Sequence, residues 1–369
     1  MKVLVTGGAG FVGSHLVDGL LAAGHVVRVL DALAAQVHGE TERPADLSPE
    51  AELVKGDVRD HAAVARALEG VEAVFHQAAA VGIGQSMYEI ERYVSANSVG
   101  TAVLLEEIAA RRDRIRKLVV ASSMSLYGEG AYHDARGNAV HPPPRPTAQF
   151  EARRWELRDA SGAELTPAPT PETKPLQPTS VYAITKRDHE ELSLTVGSAY
   201  GIPTTALRYF NVYGPRQALS NPYTGVLAIF ASRLLNGRAP LIFEDGLQSR
   251  DFVHVTDIVQ ANLLALASPA DGAVYNVGTG RATTIADVAL ELARALGKPI
   301  EPEIPGRYRA GDVRHCIADV SKIRAELGYE PRVAFEQGVK ELLDWLHGQA
   351  PVDRVDEATR ELEARGLAR

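Results

Sequence analysis

The sequence of 369 residues predicts an α/β protein with a doubly wound parallel sheet and a smaller, mixed α/β domain. Short apolar runs alternate with helical patterns through the first half of the chain, which is typical of parallel strands joined by crossover helices. The second half has a more mixed pattern, which indicates a smaller domain that returns to the first. The 45% hydrophobic content is enough for a large core in one or two domains.

The first half carries five apolar runs of four or five residues, and each is short enough to be a buried strand. These predicted strands are residues 3–6, 26–30, 52–55, 73–76 and 118–122. Predicted helices lie between them at residues 13–23, 61–68 and 98–111.

The alternation breaks at residues 131–178, which are rich in proline and in charge. Few apolar residues recur there at a regular period, so we expect a surface insertion with a short helix near 149–158. A lid or partner-binding arm is the functional alternative. Passive insertion is the preferred interpretation, because surface loops tolerate added length at small free-energy cost.

Alternation resumes after the insertion, and the second domain is expected to follow residue 211. The predicted helices are residues 182–200, 227–235, 255–267 and 285–296, and the predicted strands are 204–210, 241–243 and 273–277. The first domain therefore covers 1–211 and is rejoined by 252–273, and the second covers most of 212–345. Residues 346–369 are expected to form a charged tail, and its end, 353–369, is weakly helical and expected to be solvated or frayed.

Composition excludes several classes of protein. The net charge is −8 and no long basic run occurs, so nucleic acid is not an expected partner. No apolar run approaches the roughly 18 residues of a membrane span. The first strand begins at the second residue, which leaves no room for a signal peptide, and Cys316 has no cysteine partner. These features predict a cytoplasmic protein without a disulfide or a bound metal.

A glycine motif at the start of the chain predicts a dinucleotide site. Gly7, Gly10 and Gly13 follow a strand and open a helix, in which Phe11 and Val12 form the first turn. The glycines permit a tight turn, close approach of a pyrophosphate and close packing of helix on strand. This context indicates a Rossmann-type domain, and a coincidental glycine turn is the alternative.

Residues after the next strands predict the cofactor. Asp31 ends the second strand, where a carboxylate accepts hydrogen bonds from ribose hydroxyls and favours NAD over NADP. Asp57 and Val58 would contact adenine. A helix or turn cap is the alternative for Asp31, and a simple turn residue for Asp57. The fourth strand is followed by three small residues, Ala78, Ala79 and Ala80, which would let its end pass close to the cofactor.

Three polar residues predict an acid/base site. Tyr182 and Lys186 lie one turn apart on a predicted helix, and an ammonium group there favours the phenolate and lowers the tyrosine pKa. Such a tyrosine works as a general base near neutral pH. Ser123 follows a strand that ends at the same edge of the sheet, so its hydroxyl can share the proton. Alone, Ser123 is more often a cap.

These motifs together resemble the extended short-chain dehydrogenase/reductases, in the group of nucleotide-sugar epimerases and dehydratases. The resemblance covers residues 1–345 apart from the insertion. The segments that carry it are 6–13, 56–58, 122–128, 182–186, 208–215 and 250–255.

The resemblance implies a nucleotide-diphosphate sugar as substrate. Asn211 would contact the diphosphate, Arg250 and Arg309 would clamp it, and Asp312 would bind the nucleoside ribose. A surface salt bridge is the alternative for each arginine. Other implied contacts are Asn97, Lys186 and Tyr209 on the cofactor side and Ser86, Met124 and Ser125 on the sugar side. The sugar pocket would be lined by residues 82–87, 122–127 and 221–225, and helices 98–111 and 182–200 would pair in a homodimeric four-helix bundle.

The reaction is inferred from departures within the motif. By resemblance, sugar 4,6-dehydratases carry Asp-Glu where this chain has Met124 and Ser125, and decarboxylases carry a glutamate nearby. The 3,5-epimerase/reductases need a cysteine near this strand, and Cys316 is far away in sequence. The remaining reaction is 4-epimerisation: Tyr182 takes the C4-hydroxyl proton while hydride passes to NAD, the 4-keto sugar turns, and hydride returns to the opposite face.

The predicted sugar-pocket segments, the proline-rich segment and residues 248–251 resemble those of epimerases that act on dTDP-6-deoxyhexoses, so the resemblance implies dTDP-L-rhamnose or a related sugar as substrate. UDP-glucose, UDP-galactose and UDP-glucuronate are open alternatives, as is a net oxidoreductase that releases NADH. An NAD-binding sensor without catalysis is the alternative from outside the enzymes. Related insertions can carry Cys-x-x-Cys pairs that suggest zinc, and this one has none, so no metal is expected.

Overall fold

The computed structural model describes residues 1–218, 225–309, 311–347, 353 and 355–368. The strands are β1 Lys2–Thr6, β2 Val26–Asp31, β3 Glu52–Lys55, β4 Ala73–His76, β5 Lys117–Ser123, β6 Ala131–His133, β7 Ala139–Val140, β8 Thr166–Thr170, β9 Thr204–Tyr209, β10 Asn211–Tyr213, β11 Ser249–Arg250, β12 Phe252–His254, β13 Ala273–Val277, β14 Thr283–Thr284 and β15 His315–Ala318. The α-helices are α1 Phe11–Ala22, α2 Ala35–His38, α3 His61–Ala67, α4 Ile83–Ser86, α5 Ile90–Tyr93, α6 Gly100–Ala109, α7 Thr147–Glu151, α8 Val181–Tyr200, α9 Val226–Leu235, α10 Val255–Ala267, α11 Ile285–Ala295, α12 Ser321–Leu327, α13 Phe335–Leu346 and α14 Val355–Ala364.

The largest sheet has seven parallel strands in the order β13-β9-β5-β4-β1-β2-β3. Thr6 lies in register with both Leu30 and His76, and Ser123 lies in register with Tyr209. The carboxyl ends of five strands therefore meet at one edge, which is where open α/β sheets bind ligands. The predicted doubly wound parallel sheet is confirmed.

Alternating side chains of the central strand reach two cores. Val3 and Val5 pack in one core with residues of α1 and α10, and Leu4 packs in the other with residues of α3 and α6. Successive residues of a strand point to opposite faces, so the three consecutive apolar residues of β1, Val3 to Val5, fit a sheet covered by helices on both sides.

A second sheet of six strands has the order β14-β11-β15-β8-β6-β7. Three of its strands come from residues 131–178. In the middle of the sheet, Pro169 of β8 pairs with Ile317 of β15, and Pro167 pairs with Tyr132 of β6. Tyr132 packs with Leu157 and Leu165 in a small buried cluster. The interpretation of this segment as a surface insertion is therefore wrong for its strands, which form part of the second sheet.

Three other elements differ from their predictions. The strand expected at 241–243 reduces to one bridge between Leu241 and Glu303, because the chain turns at Glu244 with a φ of 57°. The helix expected at 149–158 is the shorter α7, after which Arg153 takes a φ of 52°. The helix expected from residue 98 continues from α5 through a π-helical segment, Val94–Val99, into α6.

Residues 355–364 form α14, in agreement with the weak helical pattern, and one face of this helix is buried, so the expected solvated or frayed end is wrong for these residues. Leu362 is buried, and its methyl carbons lie 3.4–3.5 Å from the position that a Cβ would take at Gly84. Tyr88 donates a hydrogen bond of 3.1 Å to Glu361, and Arg307 pairs with Glu363 at 2.8 Å. The helix thus contacts the segment around α4 and also the loop before Arg309. The division of the chain into two domains stays a prediction.

Candidate active site

The glycine turn is packed in the way a dinucleotide site requires. Gly7 has a φ of 69°, and a Cβ there would lie 2.7 Å from the Cα of Ala78. A Cβ at Gly13 would lie 2.1 Å from the Gly7 carbonyl oxygen. A Cβ at Gly10 would meet only that oxygen, at 3.4 Å, so the space in front of it is open. The chain therefore fits a pyrophosphate at the N-terminus of α1, where Phe11 and Val12 form the first turn.

Asp31 lies at the end of β2 with its carboxylate against the glycine turn. It accepts hydrogen bonds from the backbone N–H of Ala9 at 3.0 Å and of Leu33 at 2.9 Å. Asp31 therefore does cap this turn, as the alternative interpretation expected. Its carboxylate has further lone pairs that can accept hydrogen bonds from ribose hydroxyls. Its role toward NAD stays a prediction.

Asp57 is engaged by its own turn. Its carboxylate pairs with Arg59 at 2.7 Å and accepts the Arg59 backbone N–H at 2.8 Å. The hydrogen bonds from Arg59 hold the pKa of Asp57 below its usual value. Val58 packs on Gly100, where a Cβ would lie 2.6 Å from its methyl carbon. A turn role is thus evident for Asp57, and the contact with adenine stays a prediction.

Asn97 joins the end of β4 to α8. Its side chain accepts from the N–H of Ala80 at 2.7 Å and donates to the carbonyl of Ala80 at 3.1 Å. It also donates to the hydroxyl of Thr185 at 2.9 Å. Asn97 therefore fixes Ala78, Ala79 and Ala80 beside the helix that carries Tyr182 and Lys186.

Tyr209 is buried, and its hydroxyl is bound within the protein. Asn262 donates a hydrogen bond to it at 2.7 Å, and Gln77 does so at 3.1 Å. Burial raises the pKa of Tyr209 to about 12, so it stays neutral. A direct contact between this hydroxyl and the cofactor stays a prediction.

The three predicted catalytic residues come together at the carboxyl edge of the large sheet. Ser123 ends β5, and α8 begins after Ser180, whose hydroxyl accepts the N–H of Ala183 at 3.1 Å. Tyr182 lies in the first turn of α8, and its phenol is close enough to Ser123 for that side chain to lower the pKa of the tyrosine. Ser86 accepts the backbone N–H of Tyr182 at 3.0 Å.

Electrostatics at this site differ from the expectation. Burial raises the pKa of Tyr182 to about 12, and the neighbouring side chain of Ser123 lowers it by less. Burial lowers the pKa of Lys186 to about 7. The expected shift of the tyrosine toward neutrality is therefore wrong for the protein as described, because both groups lose hydration and each then favours its neutral form.

Lys186 has a buried neighbour that sequence reasoning missed. Its Nζ lies 3.3 Å from Nδ1 of His189, which stands one turn further along α8. The ring of His189 stacks on His76 at a centroid distance of 4.6 Å, and His76 is hydrogen-bonded to Thr6 and Thr101. Burial lowers the pKa of both histidines, so the lysine faces neutral rings. The sequence could have predicted this contact, because His189 follows Lys186 by three residues on the same predicted helix.

The predicted diphosphate residues lie at the second sheet. Arg250 reaches Asp312 at 3.7 Å and donates hydrogen bonds to the carbonyls of Val313 at 2.5 Å and Arg314 at 3.0 Å. Arg309 lies over the ring of Phe243 at 4.3 Å. The structure thus brings Arg250 and Asp312 together, with much of the Arg250 guanidinium bound to backbone.

The remaining predicted sugar-side residues lie near Ser123 and β10. The N–H and hydroxyl of Ser125 both donate to Ser123, at 3.1 and 2.9 Å, and Met124 is half-buried beside them. The side-chain oxygen of Asn211 is buried without a hydrogen-bond partner among the described residues. Of the predicted pocket segment 221–225, residues 221–224 lie outside the described part of the chain.

Comparison with known proteins agrees with this geometry. A model of the NAD dependent epimerase/dehydratase family matches residues 3–156 and 159–278. The chain belongs to that family. It is 38% identical to the dTDP-L-rhamnose 4-epimerase of Burkholderia thailandensis over 94% of each chain. It is 34% identical to the UDP-glucose 4-epimerase of Mycolicibacterium smegmatis, over 95% of this chain and 100% of that one.

A solved structure is similar over the same extent. The crystal structure of UDP-glucose 4-epimerase with UDP-glucose from Thermotoga maritima has a TM-score of 0.77 and 35% identity, and the match covers 94% of this chain and 99% of that chain. The predicted family, fold class and NAD dependence are confirmed. In the described part of the chain, no helix has the length and apolar character of a membrane span, and no group of potential metal ligands occurs.

Substitutions of Gly10 and Gly13 in the glycine turn test the predicted cofactor site. Gly13→Ala is expected to lower stability by about 1–3 kcal/mol or more and to weaken NAD binding, because its Cβ has no room. Gly10→Ala is expected to fold like the wild type and to weaken NAD binding alone. Thermal unfolding and equilibrium dialysis with NAD measure both effects. Normal NAD affinity in Gly10→Ala would contradict the placement of the pyrophosphate.

Proposed function

We propose that this protein is an NAD-dependent nucleotide-sugar 4-epimerase. The observation that carries the proposal is the set Ser123, Tyr182 and Lys186, in which Ser123 and Lys186 are buried and Tyr182 is half-buried, with Met124 and Ser125 beside it. The set supplies an acid/base group for the sugar hydroxyl. Neither Met124 nor Ser125 supplies the carboxyl group that elimination or decarboxylation needs, so transient oxidation and return of hydride is the chemistry that these residues support best.

The residues of the chain take separate parts in this chemistry. When bound, NAD accepts a hydride from C4 of the sugar and gives it back to the opposite face. In this proposal Tyr182 holds the proton of the C4 hydroxyl at its phenolic oxygen, and the neighbouring hydroxyl of Ser123 helps to hold that proton. Lys186, with a pKa lowered to about 7, accepts or returns a proton near neutral pH, and its charged form favours the phenolate.

Binding at the diphosphate would let the sugar turn within the site. In this proposal Asn211, Arg250 and Arg309 hold the diphosphate while the keto sugar presents its other face to NAD. Asp312 binds the nucleoside ribose, and Ser86 holds the backbone of Tyr182 at the start of α8. The cofactor is unchanged after each turnover, so it can stay bound.

We propose dTDP-L-rhamnose or a related dTDP-6-deoxyhexose as the substrate. The 38% identity to a dTDP-L-rhamnose 4-epimerase, over 94% of both chains, supports this choice. UDP-glucose, UDP-galactose and UDP-glucuronate are the competing substrates. Purified protein is to be incubated separately with these four sugars, without added reductant, while proton NMR follows the anomeric and H4 signals.

Each outcome of that experiment separates the hypotheses. A C4 epimer formed from dTDP-L-rhamnose supports both reaction and substrate. An epimer formed only from a UDP-sugar keeps the reaction and overturns the substrate. Production of NADH in proportion to substrate overturns epimerisation in favour of a net oxidoreductase. Bound NAD without any turnover on the panel contradicts the substrate choice and indicates an enzyme for another sugar or for a keto substrate.

We also propose a homodimer in which α6 and α8 pair with the same helices of a second copy. The π-helical segment and α8 carry the exposed apolar side chains Val94, Val99, Ile184 and Leu192. Leu192→Glu is expected to yield a monomer in size-exclusion chromatography with light scattering, since a charge in an apolar interface is costly. Leu290→Glu is the control, because Leu290 is 45% exposed on α11 and Leu192 is 39% exposed. A monomeric wild type would contradict the proposal.

The proposal also covers the cellular location of the protein and its division into domains. We place the enzyme in the cytoplasm, in keeping with a lone free cysteine, Cys316. Residues 1–211, rejoined by 252–273, would bind NAD, and 212–345 would bind most of the nucleotide sugar. Fractionation of cells, followed by detection of the protein, tests the location.

A further inference from the structure

Arg145 of the 131–178 segment is a buried arginine that reaches across to the second sheet. Its side chain is 1% exposed. It donates hydrogen bonds to both carboxylate oxygens of Glu244, at 2.8 and 3.0 Å, and to the backbone carbonyl of Asp312 at 2.9 Å. A fourth bond goes to the carbonyl of Trp155 within its own segment, at 3.0 Å. The guanidinium therefore ties the segment to two loops at once.

A second buried arginine ties the same parts together. Arg314 is 0% exposed in its side chain and donates to Glu244 at 3.1 Å and Asp245 at 2.6 Å. It also donates to Glu156 of the 131–178 segment at 2.5 Å. Glu244 takes a φ of 57°, and its N–H donates to the carbonyl of Arg307 at 2.6 Å. A non-glycine residue in this left-handed region is held there by the contacts around it.

These contacts surround the residues that the proposed function assigns to the nucleotide. Asp312 receives the bond from Arg145 on its carbonyl. Arg309 lies over Phe243, the neighbour of Glu244. Tyr308, the residue before Arg309, stacks on Phe150 of the 131–178 segment at 5.2 Å, and the guanidinium of Arg145 lies 4.3 Å over the same Phe150 ring. The segment thus supports both sides of the predicted nucleotide loop.

We propose that Arg145 is a positioning residue for the nucleoside diphosphate, and that the 131–178 segment acts through it to set the nucleotide subsite. This inference rests on the proposed function. Arg145 holds the carbonyl of Asp312 and the carboxylate of Glu244, so it fixes the spacing between Arg309 and Asp312. The planar guanidinium makes these bonds in fixed directions, which a lysine ammonium cannot reproduce.

The test uses Arg145→Lys in the full-length, NAD-containing protein. Lysine keeps a positive charge beside Glu244, which limits the loss of stability. It cannot make the bidentate hydrogen bond that the guanidinium of Arg145 makes to that carboxylate. We expect the Kd for dTDP, measured by calorimetry, to rise at least about tenfold, and the KM for the sugar substrate to rise with it while kcat stays near the wild-type value. Arg158→Lys is the matched control, because Arg158 bonds to Gly162 and Glu164 of its own segment.

Thermal unfolding and bound NAD distinguish positioning from general support of the fold. Loss of dTDP affinity in Arg145→Lys with unchanged unfolding temperature and NAD content supports the proposal. Unchanged affinity overturns it, and so does an equal loss of stability, NAD and dTDP together, which assigns Arg145 a purely structural part. If the wild type binds neither dTDP nor UDP, the proposed function itself fails. Wild-type binding with an unaffected variant overturns only this inference.

Discussion

Replacing Tyr182 with phenylalanine is expected to lower turnover by about 10²–10⁴-fold, the range typical of a lost general acid/base. The ring would still fill the same space at the start of α8, and only the hydroxyl beside Ser123 would be missing. Turnover is measured by NMR with the active sugar, and bound NAD by absorbance after denaturation. NAD content is expected to match the wild type, because the glycine turn and Asp31 are untouched.

Tyr200→Phe serves as the control for this change. Tyr200 lies at the last residue of the same helix and is 45% exposed, so loss of its hydroxyl should leave turnover unchanged. Near-normal turnover in Tyr182→Phe would remove the tyrosine from the reaction and with it the proposed mechanism. Loss of turnover together with NAD would instead place its main effect on cofactor binding.

Replacing Lys186 with methionine is expected to remove most activity and yet to stabilise the fold at low pH. Burial lowers the pKa of Lys186 from 10.5 to about 7. Below that value the native state carries a buried charge, which costs of order 2–5 kcal/mol at 1.36 kcal/mol per pKa unit. From about pH 7 to 10.5 the unfolded chain binds one more proton than the native state, so wild-type stability rises with pH. Methionine removes both the cost and its pH dependence.

Urea unfolding near pH 6, 8 and 10, with saturating NAD in every sample, measures this effect. The stability gained by Lys186→Met should be largest at about pH 6 and should shrink toward about pH 10. Lys340→Met, at an exposed position of α13, controls for the loss of a lysine. A variant that is destabilised equally at every pH would show that Lys186 is held as a satisfied charge, and the interpretation of its burial would then be wrong.

The large sheet and the catalytic edge could be predicted because their signals are local. A strand such as β1 has an uninterrupted apolar run, Val3 to Val5, and the glycines after it stand at fixed short spacings. Ser123, Tyr182 and Lys186 are each placed by the element that carries them. Once the strands are parallel, their carboxyl ends meet at one edge and the three residues come together without further information.

The second sheet could not be predicted in the same way. Pro167 and Pro169 lie in the interior of β8, and proline in a central strand argues against a strand because it lacks an N–H. β8 pairs on one side with β6 and on the other with β15, which lies about 150 residues later in the chain. Arg145 and Glu244 are likewise 99 residues apart, so their pairing depends on the folded structure alone.

The electrostatic state of the site was also beyond the sequence. The spacing of Tyr182 and Lys186 places them on one face of a helix, which suggested a mutual shift of their pKa values. The degree of burial decides the outcome, and burial depends on β4, β5 and the π-helical segment around α8. The sequence shows that the two groups are neighbours on a helix. It does not show how much hydration each of them loses on folding, and that loss shifts their pKa values.

The buried charge network has a consequence for exchanging parts between related proteins. Arg145 and Glu156 come from one stretch of chain, while Glu244, Asp245 and Arg314 come from two others. A chimaera that receives residues 131–178 without matching loops would seal an unmatched charge inside the protein, at a cost of several kcal/mol. The three stretches therefore have to be exchanged together in a chimaera, although they lie far apart in the sequence.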